Sequence, residues 1–433
     1  MTAIALTLAG LLALGLAAGV WVGLALFTTG TVGLYVFRSL PIDKILAQSI
    51  WGITTSPELL ALPLFILMAE ILFRTRVSAM LFQGLAPWTA WLPGRLVHVN
   101  VLGCTLFAAI SGSSAATALT VGRITLSELF ARGYERSIVI GSLAGAGTLG
   151  FLIPPSLIMI IYGVLSETSI LKLFIAGILP GLALAAGYML FIAVRAVLDP
   201  RIVPQAEAAI PWRERIQALF GLLPVLSLIV AVIGSMYGGL ASPTEAAAIG
   251  VLGALVVSAL QRCLTLENMK LAFVSAVRTT CMGGLILGAG VFFSVVMGYL
   301  GLPQFVAAAI GALELPPFQL VLLLMVFYLV LGCFLDGTST IIMTLPITLP
   351  LIVAAGFDKI WFGVFLVMVV EMAQITPPIG FNLFVIQALS GESIARIAVY
   401  AIPFFLITLM LTIAIALFPE AVLFLPDQVT FRR

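Results

Sequence analysis

GTLGFLIPPS at residues 147–156 and EMAQITPPIGFN at residues 371–382 each set two consecutive prolines in the middle of a long apolar run. Proline has no amide hydrogen, and its ring collides with the preceding helical turn. Each run therefore predicts two half-helices separated by a break. The second half-helix starts with unpaired N–H groups and the positive end of its dipole, while the carbonyls ahead of the break face the other way. Such a break offers one place for a cation and another for an anionic group. A plain kink explains a single proline pair; two pairs in matched surroundings favour the paired break.

The match extends outward from the prolines. A displacement of 223 residues carries Pro154-Pro155 onto Pro377-Pro378 and RITLSELFARGYER (123–136) onto PITLPLIVAAGFDK (346–359). One residue of slip later, SETSI (166–170) meets SGESI (390–394). The chain reads as a duplication, residues 1–198 and 216–433, joined by the soluble-looking stretch DPRIVPQAEAAIPWRER (199–215). Duplicated halves of this kind are typical of secondary transporters.

Composition fixes the solvent. Of 433 residues, 62% are hydrophobic and 9% charged, against about 25% charged in soluble chains. No soluble core hides that much apolar surface, so the chain is an all-α integral membrane protein. The net charge of +2 comes without a basic run, which excludes a nucleic-acid partner. The cysteines Cys104, Cys263, Cys281 and Cys333 are widely spaced and read as buried thiols, without disulfide or zinc spacing. The first basic residue is Arg38, so the N-terminal apolar run reads as a retained span and not a cleaved signal.

Apolar runs long enough to span a bilayer as helices are 4–37 (two tight spans), 57–75, 137–165, 170–195, 216–236, 244–261, 270–298, 361–389 and 397–418. The segments 41–56, 78–92 and 303–314 are shorter and more amphipathic, as suits interfacial helices. Two further stretches, 95–122 and 316–352, are interrupted by small, polar or proline residues and predict re-entrant hairpins. The first is flanked by Arg95, Arg123, Arg132 and Arg136, whereas Thr279–Asp358 holds no Lys or Arg. The positive-inside rule then opens the first hairpin to the cytoplasm and the second to the outside, making the halves inverted repeats with both termini outside.

Three constellations carry the chemistry. SGSSAATA (111–118) is a poor helix interior, because Gly lacks stiffness and Ser competes for backbone hydrogen bonds. It suits a hairpin tip whose carbonyls and hydroxyls hold a hard cation, although a small-residue helix contact is the plainer alternative. DGTST (336–340) puts Asp336 after an apolar run with no Lys or Arg within twenty residues, so a cation, a distant base or a helix-capping role must account for it. The proline breaks are the third. Glu70, Glu245 and Glu371 read as buried acids, Glu371 beside the second break and Glu245 in a capping box after Ser242; His98 reads as an interfacial residue.

HVNVLGCTLFAAISGSSAATA (98–118), IPPSLIMIIYG (153–163), SPTEAAAIGVLGALVV (242–257), FLDGTSTIIMTLPITLP (334–350) and EMAQITPPIGFNLFVI (371–386) resemble the large membrane subunit of tripartite ATP-independent periplasmic (TRAP) transporters, in motif order, from about residue 50 to residue 418. The resemblance implies an inverted-repeat, ion-transporter-like elevator fold in the bacterial inner membrane, with two re-entrant hairpins and two broken helices. It implies sodium-coupled import of a small organic acid, with Na+ as coupling ion, no other cofactor and no enzymatic step. It also implies a small four-helix membrane subunit, not fused to this chain, and a soluble periplasmic substrate-binding protein as partners, within membrane lipid. Sodium ligands carried over from the resemblance are Ser111, Gly112, Ser113, Ser114, Gly147, Thr148, Asp336, Gly337, Thr338, Thr376, Pro377 and Gly380. Substrate contacts carried over are Thr117, Pro154, Pro155, Ser339, Thr340, Pro378 and Asn382. The first tip departs from the family pattern, since Ala115 and Ala116 stand where many members place an acid after the second Ser.

The competing reading keeps the fold but drops the binding protein, leaving a stand-alone sodium- or proton-coupled carboxylate transporter. An intramembrane protease is disfavoured, since no GxSG next to a His, paired intramembrane Asp in a GxGD context or HExxH occurs. A passive channel fits the paired breaks less well.

Overall fold

The computed structural model describes residues 1–38, 40–204 and 211–428, and all regular elements within them are helical. The first five α-helices are α1 (Thr2–Ala17), α2 (Val22–Phe37), α3 (Ile42–Thr54), α4 (Ala61–Phe73) and α5 (Val77–Thr89). The next five are α6 (His98–Ser111), α7 (Ser114–Ala131), α8 (Arg136–Thr148), α9 (Leu157–Ser166) and α10 (Ile170–Leu198). After the linker come α11 (Trp212–Tyr237), α12 (Pro243–Leu260), α13 (Leu266–Tyr299), α14 (Leu302–Gly311) and α15 (Pro317–Gly332). The last five are α16 (Gly337–Ala354), α17 (Lys359–Gln374), α18 (Phe381–Ser390), α19 (Ile394–Leu417) and α20 (Glu420–Gln428).

Helices α6–α7 and α15–α16 fall in the two stretches expected to form hairpins, and α8/α9 and α17/α18 lie on either side of the two proline pairs. The run 4–37 does form two tight helices, and 41–56, 78–92 and 303–314 become α3, α5 and α14. Among the described residues α10, α11, α12, α13, α16 and α19 are each long and apolar enough to cross a membrane, and α3 with the segment 57–73 passes together as a pair bent by 58°. Helix starts follow local chemistry. At α12, Pro243 takes the first helical position while Ser242 and Glu245 form a complete capping box. Asp358 caps α17, its carboxylate accepting from Ile360 N at 2.6 Å. The linker is short, because helix α11 already starts at Trp212; residues 205–210 lie outside the described residues, as do Arg432 and Arg433.

The helices pack as two groups. In one, α2, α3 and α4 lie along α13, with α12 against α4 and α11 against α5. In the other, the hairpins and broken helices enclose a centre formed by α8 and α17. Every residue of α17 from Trp361 to Gln374 is buried, and so is all of α8 from Ile138 to Thr148. By contrast, 22% of the most apolar window of α11 is buried, so most of that helix lies on the outside of the chain.

Several single-residue expectations are corrected. Cys104 and Cys333 are buried, but Cys281 is exposed and Cys263 half-exposed, because they sit on or beside α13, which is only partly covered by other helices. His98 is buried, its ring bonded to the Pro93 carbonyl at 2.6 Å. Glu70 is half-buried and ion-paired with Arg74, and Glu245 is exposed in its capping role. Only Glu371 of the three acids is buried.

Candidate functional site

The first tip closes on the first break. Gly112 ends α6 in the left-handed region (φ 59), a conformation that costs glycine nothing and a β-carbon would strain. Its carbonyl accepts the Leu157 amide at 3.2 Å, fastening the tip to the first turn of α9. Inside the turn, Ser111 Oγ and Thr117 Oγ1 lie 2.8 Å apart, and Thr117 donates to the Ser113 carbonyl at 2.8 Å. Gly150, in the short 3-10 turn 149–151 that follows α8, approaches so closely that an added β-carbon would stand 2.5 Å from the Ser113 oxygen and 2.8 Å from Thr117 Oγ1. Gly147 packs in the same way on Ala118. Pro154 and Pro155, joined by a cis peptide, are buried beneath the tip, and the Ser156 hydroxyl donates to the Phe151 carbonyl freed ahead of them.

The second tip repeats the backbone plan with different side chains. The Cys333 carbonyl accepts the Ile379 amide at 3.2 Å, fastening hairpin to break. Asp336 caps α16: its carboxylate accepts the Ser339 amide at 3.2 Å and the Ser339 hydroxyl as well. It is exposed, and the ion pairs among the described residues do not include it. Thr340 spends its hydroxyl on the Asp336 carbonyl at 2.9 Å, and Thr376 gives its own to Met372 O at 2.7 Å. Gly380 starts α18 at φ 47, wedged against the Thr376 carbonyl. Pro377 and Pro378, also joined by a cis peptide, are exposed.

Each tip also touches the other half of the chain. Asn382 on α18 donates to Ser114 Oγ at 2.6 Å, while Asn382 Oδ1 is buried without a partner. Reciprocally, Gly337 lies against Ile158 on α9 and Val370 on α17. The structure thus gathers Ser111–Ser114, Thr117, Gly147, Pro155 and Asn382 at one locus; Asp336, Gly337, Ser339 and Thr340 cluster at the second tip, which the Cys333–Ile379 bond ties to the break that holds Thr376 and Gly380. Thr148 points inward to the Gly145 carbonyl at 2.8 Å. No hydrogen bond among the described residues ties the Thr338 side chain or Pro378 to either tip.

Oxygen donors dominate both loci, the chemistry a hard cation requires. The orphan amide oxygen of Asn382 and the carboxylate of Asp336, which lacks a basic partner, fit such an ion. Sequence reasoning missed the ties that hold the halves together. Arg136 Nη1 reaches Glu392 at 2.7 Å, and Lys359 Nζ donates to the Ser166 carbonyl at 3.2 Å, with Tyr162 OH on the Lys359 carbonyl at 2.6 Å. The signal was within reach, because the 223-residue displacement puts Arg136 on Lys359 and SETSI on SGESI. Tyr328 with Thr344 and Thr348, hydroxyl to hydroxyl at 2.8 and 2.6 Å inside hairpin 2, left no such signal.

The apolar spans make this a multi-pass membrane protein, and the family it matches places it in the bacterial inner membrane. The chain belongs to the tripartite ATP-independent periplasmic transporter family, as its DctM component: residues 8–421 match that family. It is 33% identical over 396 residues to the ectoine/5-hydroxyectoine TRAP transporter large permease protein UehC of Ruegeria pomeroyi, covering 91% of this chain and 92% of that one. It is 34% identical over 374 residues to the C4-dicarboxylate TRAP transporter large permease protein DctM of Pseudomonas aeruginosa, covering 85% and 86% respectively. Among solved structures, the Alcanivorax borkumensis YdaH transporter shares the fold, with a TM-score of 0.63 at 14% identity over 94% of this chain and 98% of that chain.

Proposed function

We infer that this TRAP large permease imports a small organic acid by sodium coupling, with the two tip-and-break loci as ion sites. The observation that carries the reading is the duplicate construction itself: two hairpin tips, each hydrogen-bonded to a proline break and each presenting oxygen donors. At the first locus Ser111, Gly112, Ser113 and Ser114 with Gly147 and Thr148 would hold one Na+; at the second, Asp336, Gly337, Thr338, Thr376, Pro377 and Gly380 another. Bound sodium would cancel the Asp336 charge and draw each tip onto its break, completing the surface that the substrate carboxylate meets. Thr117, Pro154, Pro155, Ser339, Thr340, Pro378 and Asn382 stand beside the loci in that role. The hairpins and broken helices would move as one body against the group around α13, residues 1–198 and 216–433 being oppositely oriented repeats.

The relatives named above are ectoine and C4-dicarboxylate permeases, so their cargo does not pass to this chain by similarity alone. A small four-helix membrane subunit and a periplasmic binding protein would complete the system, as the family description "tripartite" supports. Vesicles holding both membrane subunits should take up substrate only with sodium outside and a loaded binding protein. Uptake that persists after sodium removal would refute the coupling. Uptake without the binding protein would favour a stand-alone carrier.

A further inference from the structure

A cavity of about 550 Å³ opens between the α4–α5 corner (Glu70, Arg74, Arg76) and the middle of α7 (Thr120, Arg123). None of the proposed ion-site residues lines it, and Arg123 lies nine residues along α7 from Ser114, roughly 13 Å at the helical rise. Three guanidiniums and one carboxylate line it. Arg74 is committed. It pairs with Glu70 at 2.5 Å and donates to the Leu271 carbonyl and Ser275 hydroxyl of α13 at 3.2 and 3.1 Å. The side chains of Arg76 and Arg123 are exposed and make no hydrogen bond or ion pair among the described residues. Two positive charges in excess thus face one concavity from opposite walls, one on the α13 group and one on hairpin 1.

Like charges so placed repel unless an anion lies between them, and a cleft lined by one sign concentrates the opposite ion. The planar fork of arginine matches a carboxylate or phosphate bidentately. We propose that this cavity is an oxyanion site in which Arg76 and Arg123 grip one anionic group, either the carboxylate of the cargo leaving hairpin 1 or the phosphate of a lipid headgroup. Assigning cargo as the ligand rests on the proposed import of an organic acid; the binding itself does not. Because its two walls belong to different packing groups, an anion here also bridges the elements that must slide past each other.

The test uses the purified full chain in sodium-free phosphatidylcholine nanodiscs, which silences the proposed coupled loci. One arm titrates succinate and inorganic phosphate and reads thermal shift. The other adds phosphatidylglycerol and counts retained lipid by native mass spectrometry. Binding in the first arm assigns a free solute, and retention in the second a headgroup. Arg76→Gln with Arg123→Gln should weaken whichever is seen by about tenfold or more, the scale of a lost charge-assisted contact. Lys44→Gln, on the remote helix α3, should change nothing. If the glutamine pair does not fold, Arg76→Lys with Arg123→Lys should bind more weakly than the wild type, since lysine lacks the bidentate fork. Binding in neither arm, wild-type binding by either double variant, or equal loss in Lys44→Gln would overturn the site. None of these outcomes bears on sodium dependence, so the two readings fail separately.

Discussion

Ser113 and Asp336 occupy the same place in the two halves, 223 residues apart, each preceding the outgoing arm of a hairpin. Ser113 leaves its helix without a side-chain cap and gives its carbonyl to Thr117 instead. Asp336 caps its helix and presents a charge. Around the first tip, Pro154, Pro155 and Ser156 are buried; around the second, Pro377, Pro378 and Ile379 are exposed. The backbone plan is duplicated, whereas the electrostatics are not. One tip presents neutral dipoles in buried surroundings, and the other a carboxylate in exposed ones. Ala115 and Ala116 follow Ser114 at the neutral locus, which has no acid of its own in the tip.

The comparison breaks most sharply if the halves are not inverted. Ala131→Cys and Ala354→Cys sit at equivalent positions, on a background with the four native cysteines replaced. A membrane-impermeant maleimide should label Ala354→Cys in intact cells and Ala131→Cys only after permeabilisation, an all-or-none difference. Labelling of both from one side would end the inverted-repeat reading.

A smaller effect sharpens the closed locus. Gly150→Ala would press a methyl group on the Ser113 carbonyl, and overpacking of that kind costs about 1–3 kcal/mol. Thermal unfolding in detergent should show that loss together with weaker sodium dependence of uptake. A variant of wild-type stability would mean that the tip stands away from the break.

The smallest effect concerns the tie between the halves. Arg136 and Arg396 hydrogen-bond to Glu392 and hold its carboxyl below the ordinary value of 4.5. A lowered native pKa means stability that is fully present above that ordinary value and is lost as pH falls through the native one. Melting temperature should therefore drop below about pH 4.5 more steeply in the wild type than in Glu392→Gln. Parallel profiles would show the pair to be without energetic weight.

Much of this architecture was legible in the chain. Proline pairs and the 223-residue displacement located both breaks, and Gly112 and Gly337 marked the tips, because those features act through the backbone of their own segment. What stayed hidden depends on neighbours distant in sequence. Asn382 bonds Ser114 across 268 residues, and His98 is buried only because α6 packs as it does. Glu70 pairs with Arg74 at the i,i+4 spacing of a helix surface, so its reading as a buried acid was avoidable from sequence. The surplus charge at Arg76 and Arg123 needed the cavity to be seen, since only packing brings the two arginines to one concavity.

Equilibrium binding of radiolabelled sodium to the purified full chain tests the account most directly. Saturable binding should weaken by about tenfold or more in Asp336→Ala, which loses a charged donor, and by a smaller factor in Ser113→Ala, whose carbonyl survives. Sodium binding that is unchanged in both variants would contradict the assignment of the paired tips as ion sites.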